Sequence, residues 1–497
     1  MFHSKDSSLR PAASLSRRRI LTGALALGAF TLTPLSALAD GSEDTVSCDV
    51  VVVGAGGAGL SAALAAAQQG ASVLVIEKMP MLGGNTYLAA GYILSARGKT
   101  PEETEENKRV IIDDILHEGR GHADPHMVEE VVEHSIAMID WLKANGANLE
   151  RYHITNINKG NQYRPSNHTL VGEELVQTLL QGLDNKEVLI KTLSNVREIL
   201  FNREGRLSGV RISRPDGSTW RVHASSVVLA TGGFAANEAM VAEHAPAYAE
   251  YLTTNSPGAT GDGIIMGRAV GAVTEDMESV IVHPTTMPFS GLILPWSARA
   301  NGAILLNDHG RRFLNELSRH VANDIREKGN GSAWLILDQQ CVDNVKTLSN
   351  YARLGYLSKA HSVEELSRII HVPSKTLEEQ FARYADFCAT GIDRDYHRPS
   401  LVNDLSHLPL YAVRVQPGVH YTTGGLKIDK HCRVLSATRP IAGLYAAGET
   451  TGGIFGKSRP EGAGLMLALV SGRMAGEQAA KYALENPIPD TSVNRLP

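Results

Sequence analysis

A glycine-rich turn between a short strand and a helix constrains the fold of this chain more than any other feature. Residues 48–53 read Cys-Asp-Val-Val-Val-Val, a β-branched run typical of a buried parallel strand, and the turn Gly54-Ala-Gly-Gly-Ala-Gly59 follows at once. Residues 60–69 favour a helix, and residues 72–76 favour a second strand that ends at Glu77. The order strand, turn, helix, strand predicts an α/β fold built on a parallel sheet.

Each residue type around this turn has a physical task. Gly54 permits the tight turn, Gly56 lets backbone N–H groups approach a pyrophosphate, and Gly59 lets the helix pack against the strand. The N-terminus of the helix favours the phosphate charge. Glu77 can accept hydrogen bonds from both ribose hydroxyls of an adenosine, and it disfavours a 2′-phosphate. These residues predict a dinucleotide site but do not distinguish FAD from NAD.

Composition and charge exclude other classes of protein. The net charge of −5 over 497 residues offers no basic surface for nucleic acid or an anionic membrane. The four cysteines, Cys48, Cys341, Cys388 and Cys432, lack the spacing of a metal, haem or disulfide motif, although a chance pair between Cys341 and Cys388 stays open. We therefore expect a globular chain of roughly two to four domains, with no nucleic-acid partner and no metal.

The N-terminus is typical of a twin-arginine export signal. Arg17 and Arg18 precede an apolar stretch at residues 20–32, and Ala37-Leu-Ala39 offers a cleavage site before Asp40. The stretch is shorter than the about 20 apolar residues that a membrane span needs. We expect the mature chain to begin near Asp40 and to work in the periplasm or outside the cell, with no stable membrane span. A basic tail or an uncleaved anchor is the alternative.

Later segments favour a flavin over a nicotinamide. The glycine pair in Leu82-Gly-Gly-Asn-Thr86 suits a loop that runs along a pyrophosphate and the edge of a flavin. Residues 444–450 predict a strand that enters a turn. The small residues from Gly456 to Gly464 then lead into a helix whose N-terminus can face the flavin pyrimidine.

Seven separated motifs follow one another along the chain: VVVGAGGAGL at 51–60, GGNTYLAAG at 83–91, ATGGF at 230–234, TGDG at 260–263, HPT at 283–285, VHYTTGG at 419–425 and AAGETTGG at 446–453. In this order they resemble the flavoprotein subunits of succinate dehydrogenase and fumarate reductase, including the soluble fumarate reductases and flavocytochromes c. The resemblance extends from about Cys48 to about Gln478. It implies a Rossmann-like FAD-binding domain, with its parallel sheet and GxGxxG turn, that carries an inserted α+β capping domain.

The resemblance also implies domain boundaries along the chain. In order, they are a twin-arginine signal peptide at 1–39, a first part of the FAD-binding domain at 45–282, the capping domain at 283–419, a second part of the FAD-binding domain at 420–485 and a flexible tail at 486–497. The substrate would then lie at the seam between the capping domain and the FAD-binding domain.

By the same resemblance, Glu449 would bind the ribityl chain of FAD and Asp262 the nucleotide side of the cofactor. Respiratory members bond FAD covalently to a histidine at the position of Asn85, and since asparagine cannot form this bond, we expect non-covalent FAD. The other cofactor-binding positions implied are Gly54, Ala55, Gly56, Gly59, Glu77, Lys78, Gly84, Thr86, Ala90, Gly91, Val196, Thr231, Gly232, Gly464 and Leu465.

The substrate-binding residues also follow from the resemblance. His283 and His420 match two histidines that bind substrate carboxylates, and Arg459 matches an arginine that clamps a carboxylate, a task suited to the bidentate guanidinium. Arg319 is the best match to the catalytic arginine that protonates the substrate carbon, while His320 is its match when no gap is allowed.

The proton route departs from the family pattern. Arg299 matches a second arginine of the route, but Trp296 stands where relatives have a relay glutamate, and tryptophan cannot relay a proton. The usual Arg-Leu-Gly-Gly-Asn is replaced by Arg459-Pro-Glu-Gly-Ala-Gly. These departures favour a bulkier or less acidic substrate than fumarate, or a different proton route.

The resemblance therefore implies an FAD-dependent oxidoreductase that reduces the activated C=C bond of an unsaturated carboxylate. The hydride would come from flavin N5 and the proton from an arginine. Since no haem, iron–sulfur or second nicotinamide motif occurs, we expect an external electron donor or acceptor such as a cytochrome or a quinol-linked protein. The alternatives are a dehydrogenase or oxidase of the tricarballylate or ketosteroid type, and a non-catalytic flavin electron carrier.

Overall fold

The structure, a computed structural model, describes residues 44–152, 161–167, 169–488 and 494–496, so the expected signal peptide at 1–39 lies outside the described residues. The strands are, in chain order, β1 (Asp44–Ser47), β2 (Val50–Val53), β3 (Val73–Ile76), β4 (Ile93–Ser95), β5 (Leu149–Tyr152), β6 (Asn161–Pro165), β7 (Leu189–Lys191), β8 (Asn195–Phe201), β9 (Leu207–Ser213), β10 (Thr219–His223), β11 (Ser226–Leu229), β12 (Leu252–Thr253), β13 (Thr274–Glu275), β14 (Val280–Thr286), β15 (Ile304–Leu306), β16 (Ala333–Asp338), β17 (Ser358–Ala360), β18 (Leu410–Thr422), β19 (Gly425–Leu426), β20 (Arg433–Leu435), β21 (Pro440–Ala446) and β22 (Asn494–Arg495).

The α-helices are, in chain order, α1 (Gly57–Gln68), α2 (Gly84–Leu88), α3 (Pro101–Glu118), α4 (Pro125–Ala144), α5 (Val171–Asp184), α6 (Glu238–His244), α7 (Asp262–Ala269), α8 (Trp296–Ala300), α9 (Val321–Lys328), α10 (Gln339–Asn344), α11 (Lys346–Arg353), α12 (Val363–Ile370), α13 (Ser374–Thr390) and α14 (Ala463–Glu485).

A six-stranded sheet in the order β20-β21-β11-β2-β3-β7 carries the glycine-rich turn at the end of β2. Its strands are parallel except for the β20–β21 pair. All four valines of β2 are buried, as expected of a central strand covered on both faces. The predicted parallel sheet and the α/β fold are confirmed.

Helices α1 and α14 cross at very short range beside this sheet. A Cβ atom on Gly472 would lie 2.3 Å from the carbonyl oxygen of Ala58, and one on Gly476 would lie 2.1 Å from that of Ala62. Small residues on both helices therefore allow this packing, which accounts for the alanine-rich sequence of α1.

Four further groups of strands surround this sheet. Strands β22-β1-β10-β9-β8 form a five-stranded sheet, β4-β6-β5 form a three-stranded one, and β13 pairs with β19. The remaining sheet has the order β12-β18-β16-β15, and both β14 and β17 also pair with β18. Within the region 486–497, Asn494 of β22 lies opposite Val46 of β1, and the flexible tail expected there stays a prediction.

Three clusters of buried apolar side chains fill the described part of the molecule. One draws on residues 48–280 and 419–483 and surrounds the parallel sheet. The other two draw only on residues 287–415, which hold β15–β17 and α9–α13. From Thr45 onward the described chain is one compact unit, and the boundaries at 283 and 419 stay predictions.

Two expectations about the chain as a whole can be compared with this fold. All four cysteines are free thiols, so Cys341 and Cys388 do not pair. In the described ranges, no helix combines the length and apolar character that a membrane crossing requires.

Candidate active site

The turn between β2 and α1 has the geometry that its glycines predict. Gly54 has a φ of +102°, and a Cβ atom on Gly59 would lie 1.9 Å from the Gly54 carbonyl oxygen, so neither position tolerates a side chain. A Cβ atom on Gly56 would instead meet only the carbonyl oxygen of Gly83, at 3.9 Å. Gly56 therefore presents open backbone in front of the turn, and a Cβ atom on Gly84 would lie 3.8 Å from the Gly56 Cα.

The carboxylates of Glu77 and Asp262 bind groups in and beside this turn. Glu77 accepts hydrogen bonds from the backbone N–H groups of Ala55 (2.8 Å) and Met79 (2.7 Å), which holds its carboxylate beside the turn. Lys78 forms an ion pair with Asp262 at 2.8 Å, and Thr260 also donates to Asp262 at 2.6 Å. The structure thus brings Glu77, Lys78 and Asp262 to one side of the turn.

Asn85 and Glu449 belong to the predicted cofactor cleft that begins at this turn, and their side chains are hydrogen-bonded to each other. Asn85 accepts a hydrogen bond from the Ser256 backbone N–H at 2.7 Å and donates one to Asn255 at 2.5 Å. Glu449 accepts from the Thr422 backbone N–H at 3.0 Å. Burial raises the pKa of Glu449 to about 7, although the Thr422 N–H and Arg459 favour its charged form.

The remaining predicted cofactor positions differ in their surroundings. Thr86 accepts a hydrogen bond from the N–H of Gly57 (3.0 Å) and Thr231 from that of Gly263 (3.0 Å), so both join the walls of the cleft. A Cβ atom on Gly232 would meet no protein atom within 4 Å. The others are exposed Ala90 and Gly91, buried Val196, and partly buried Gly464 and Leu465 at the start of α14.

These residues fit FAD. The open backbone at Gly56, Gly84 and Gly232 forms a cradle that side chains would fill, as a pyrophosphate and the adjoining chain require. The N-terminus of α1 supplies N–H groups for phosphate oxygens, and Glu77 retains lone pairs for ribose hydroxyls. The role of each individual residue in binding FAD stays a prediction.

The two predicted histidines come together on neighbouring strands. β14 pairs antiparallel with β18. Ile281 lies opposite Tyr421 and Val282 lies opposite Val419, so the register shifts between these two pairs. His420 is the extra residue of this bulge, a feature that re-aims a side chain. The rings of His283 and His420 consequently lie 5.6 Å apart, edge to face.

This histidine pair lies where the two regions of core meet. Val280 and Val419 belong to the core around the parallel sheet, whereas Met287 and Val415 belong to the core of residues 287–415. The strands β14 and β18 therefore cross the seam and carry both histidines there.

Both imidazoles are neutral at pH 7. Burial, the charge of His420 and the charge of Arg299 hold the pKa of His283 well below its usual range. Burial and the Arg459 charge lower the pKa of His420 to about 4. The Thr285 backbone N–H donates to Nδ1 of His283 at 3.3 Å, so the proton of this neutral ring is on Nε2. Thr254 Oγ1 lies 2.8 Å from Nδ1 of His420 and fixes its orientation.

Arg459 approaches the histidines from the loop before α14. Its guanidinium carbon lies 4.0 Å from the centroid of the Tyr421 ring, within cation–π range. A Cβ atom on Gly464 would lie 2.8 Å from the same carbon, so glycine is needed there for the arginine to lie against the helix. Its Nε has no hydrogen-bond partner among the described residues, which leaves a donor for a ligand.

Arg299 is the buried arginine of the site. Its Nη1 donates to the Glu316 carbonyl oxygen at 2.8 Å, while its buried Nε has no partner among the described residues. Burial lowers its pKa to about 10, with Glu316 and Glu461 opposing the shift and Arg398 adding to it. Since its charge also acts on His283, the structure places Arg299 beside the histidine pair.

Arg319 and His320 lie elsewhere in this structure. The Arg319 side chain is 67% exposed, forms an ion pair with Glu118 at 3.7 Å and a hydrogen bond with His117 at 3.4 Å. His320 is exposed just before α9. Among the described residues, the charges that act on His283 are those of His420 and Arg299, not of Arg319. The expected position of Arg319 over the substrate therefore differs from what is observed, and its catalytic role stays a prediction.

Sequence reasoning assigned no role to Glu461, which lies among these groups. Tyr92 hydrogen-bonds its side chain, and Arg459 and Arg299 act on its charge. Glu461 is accessible to water, yet surrounding protein desolvates it enough to raise its pKa. His283 and His420 likewise contact water and are desolvated by surrounding protein. Side chains that line a narrow cleft have both properties. The departure from the family pattern at Arg459-Pro-Glu was the feature of the sequence that could have pointed to Glu461.

Comparisons with known proteins agree on one group of relatives. Residues 49–465 match the family model described as an FAD binding domain. The chain is 36% identical over 459 residues to "Fumarate reductase (cytochrome)" of Shewanella frigidimarina, covering 91% of this chain and 80% of that one. It is 29% identical over 472 residues to urocanate reductase of Eggerthella lenta, covering 88% and 75%. The open conformation of a flavocytochrome c3 fumarate reductase superposes with a TM-score of 0.79 at 30% identity, covering 97% of this chain and 83% of that chain.

Proposed function

Because the chain belongs to the succinate dehydrogenase/fumarate reductase flavoprotein family and is an FAD-dependent oxidoreductase acting on C=C bonds, we propose that it reduces the double bond of an unsaturated carboxylate. The observation that carries this proposal is the meeting of His283, His420, Arg299 and Arg459 at the seam. Two neutral imidazoles and two guanidinium groups form an anion-binding set in a desolvated cleft.

Each residue has a task in this proposal. When bound, FAD supplies the hydride for one carbon of the double bond. His283 donates from Nε2 to a carboxylate oxygen, and Arg459 binds the carboxylate with the donors that its protein contacts leave free. These contacts hold the substrate against the cofactor and stabilise the negative charge that develops beside the carboxylate.

Proton delivery belongs to an arginine, and the geometry favours Arg299. It lies inside the cleft, and its pKa of about 10 makes it a stronger acid than an exposed arginine. Arg319 would first have to leave Glu118 and His117. The conservative variants Arg299→Lys and Arg319→Lys separate the two, with enoate-dependent oxidation of reduced methyl viologen as the assay.

We expect Arg299→Lys to lower kcat by about a hundredfold or more, with FAD content unchanged, and Arg319→Lys to keep most of the activity. The reverse pattern would show that residues 287–415 move to bring Arg319 to the substrate. Arg433→Lys, on an exposed ion pair with Asp429, is the matched control and should not change the rate.

The direction of the reaction needs its own measurement. Oxidation of reduced viologen by enoates is compared with reduction of dichlorophenolindophenol by the corresponding saturated acids. A reductase gives the faster rate in the first assay. Rapid turnover only with saturated acids would support a dehydrogenase. Dye rates without any response to either acid would support an electron carrier.

Location and electron donor complete the proposal. Arg17 and Arg18 direct export of the folded, FAD-loaded chain, and a cytochrome or a quinol-linked protein delivers electrons in the periplasm. The double variant Arg17→Lys/Arg18→Lys should leave the precursor in the cytoplasm. Equal periplasmic amounts of the variant and the unmodified chain on fractionation would rule out this route.

A further inference from the structure

Glu461 places a carboxylate near the two guanidinium groups of the site. It follows Arg459 by two residues, and its Oε1 lies 3.5 Å from where a Cβ atom on Gly91 would be. Tyr92 hydrogen-bonds it, and Arg459 and Arg299 are the charged groups that act on it. The acid therefore faces the same space as the two guanidinium groups that would bind substrate.

The charges of the two arginines are largely offset by neighbouring carboxylates. Arg299 and Arg459 are the cations, both histidines are neutral, and Glu461 offsets one of the two positive charges. Glu449, when ionised, lowers the balance further. The neighbouring Arg312 and Arg398 add nothing, because buried Glu316 and Asp393 compensate them.

We propose that Glu461 restricts the substrate to an unsaturated acid with a single carboxylate. The two arginines can pair with one substrate carboxylate, whereas a second carboxylate would lie beside Glu461 without a counter-charge. Glu461, fixed by Tyr92, instead accepts a hydrogen bond from a donor such as an amide or hydroxyl at the other end of the substrate. This inference rests on the proposed function and names its substrate class.

Fumarate and fumaramate form a matched pair of probes, since they have nearly the same shape and differ by one carboxylate. With reduced methyl viologen at pH 8, we expect kcat/KM for fumaramate to exceed that for fumarate by about tenfold or more. Lowering the pH should narrow the difference, because desolvation raises the pKa of Glu461 and a protonated Glu461 removes the repulsion. The pKa of Glu449 is about 7, so the variant Glu461→Gln is needed to show which of the two glutamates causes the pH dependence.

The variant Glu461→Gln keeps the shape of the side chain and removes its charge. We expect it to raise kcat/KM for fumarate relative to fumaramate by about tenfold at pH 8 and to leave only the pH dependence that Glu449 contributes. Glu477→Gln, which removes a charge paired with Arg473 on α14, is the control and should keep the ratio of the unmodified protein.

The outcomes separate this inference from the function on which it rests. Turnover of both acids at a ratio near one, independent of pH and of Glu461→Gln, would overturn the charge restriction while leaving enoate reduction intact. Failure of any enoate to oxidise the FAD-containing protein would overturn the proposed function itself. If Glu461→Gln does not retain FAD, the ratio of kcat/KM for fumaramate to that for fumarate in the unmodified protein at pH 8 decides, and a ratio near one overturns the restriction.

Discussion

Arg459 illustrates how one side chain acquires its task from its surroundings. The guanidinium lies over the Tyr421 ring and against Gly464, and its buried Nε has no partner in the described chain. We expect Arg459→Lys to lower kcat/KM by about a hundredfold, because lysine keeps the charge but loses the planar donors. Steady-state kinetics with the preferred enoate measure the loss, with Arg433→Lys as the control. Unchanged kcat/KM at full FAD content would contradict the clamp.

His420 makes the stability of the fold depend on pH. Its pKa is 6.5 when exposed and about 4 in the fold, so between these values the unfolded chain binds more protons and acid destabilises the fold. For His420 alone, the free energy of unfolding should fall by about 1.5 kcal/mol between pH 6.5 and pH 5. Urea denaturation at saturating FAD measures it.

The variant His420→Gln isolates this contribution. His283 acts in the same direction, whereas Glu449 acts in the opposite one, because its raised pKa favours the fold at low pH and loses this effect as the pH rises from 4.5 to about 7. The variant should therefore show a smaller loss of stability on acidification than the unmodified protein. The same loss in both would mean that His420 is not desolvated.

Asn85 is the residue from which we predict non-covalent FAD. Its amide is held by Ser256 and Asn255 and offers no nucleophile to the flavin. We expect all of the flavin to remain in solution after acid precipitation, and no fluorescent protein band on a denaturing gel. Flavin that stays with the precipitated chain would contradict non-covalent binding.

At the scale of elements, we expect two glycines of the β2–α1 turn to have different tasks, Gly59 in packing and Gly56 in cofactor binding. Gly59→Ala would press a Cβ atom against the Gly54 carbonyl oxygen and push α1 away from β2, so we expect lost stability and lost FAD. Gly56→Ala has an ordinary φ of −78° and space for its Cβ, so it should fold but bind FAD at least about a hundredfold more weakly.

Melting of the FAD-free variants and titration with FAD measure the two effects. Gly70→Ala, with a φ of +86° but no atom near its Cβ, is the control and should keep its FAD affinity. Equal FAD affinity for Gly56→Ala and the unmodified protein would show that this backbone does not face the pyrophosphate.

The parts of the fold and of the site that could be predicted from the sequence are those whose residues are close together in the chain. The turn at Gly54–Gly59 and the strands around it were predictable because all their determinants lie within about 30 neighbouring residues. The meeting of His283 with His420 depends on a bulge in β18, which no local pattern announces. The pairing of Glu461 with Tyr92 joins residues far apart in the chain. The exposure of Arg319 likewise depends on packing that its motif does not contain.

At the scale of the whole molecule, strands β14 and β18 join two regions of core and carry the site between them. One region holds the cradle for FAD, and the other contributes Arg299 and its buried network with Glu316 and Arg398. In the proposed reaction the substrate contacts both regions, so we expect their relative position to affect the rate. The variants of Arg299 and Arg319 report on that position.

The most direct test of enoate reduction is a single half-reaction without oxygen. The FAD-containing protein is reduced photochemically, mixed with fumaramate in a stopped-flow instrument and followed at the flavin absorbance, with the product identified by NMR. We expect the oxidised flavin spectrum to return and one saturated acid to form per flavin. A flavin that stays reduced with fumaramate and with every other enoate, yet is reoxidised by a dye, would contradict enoate reduction.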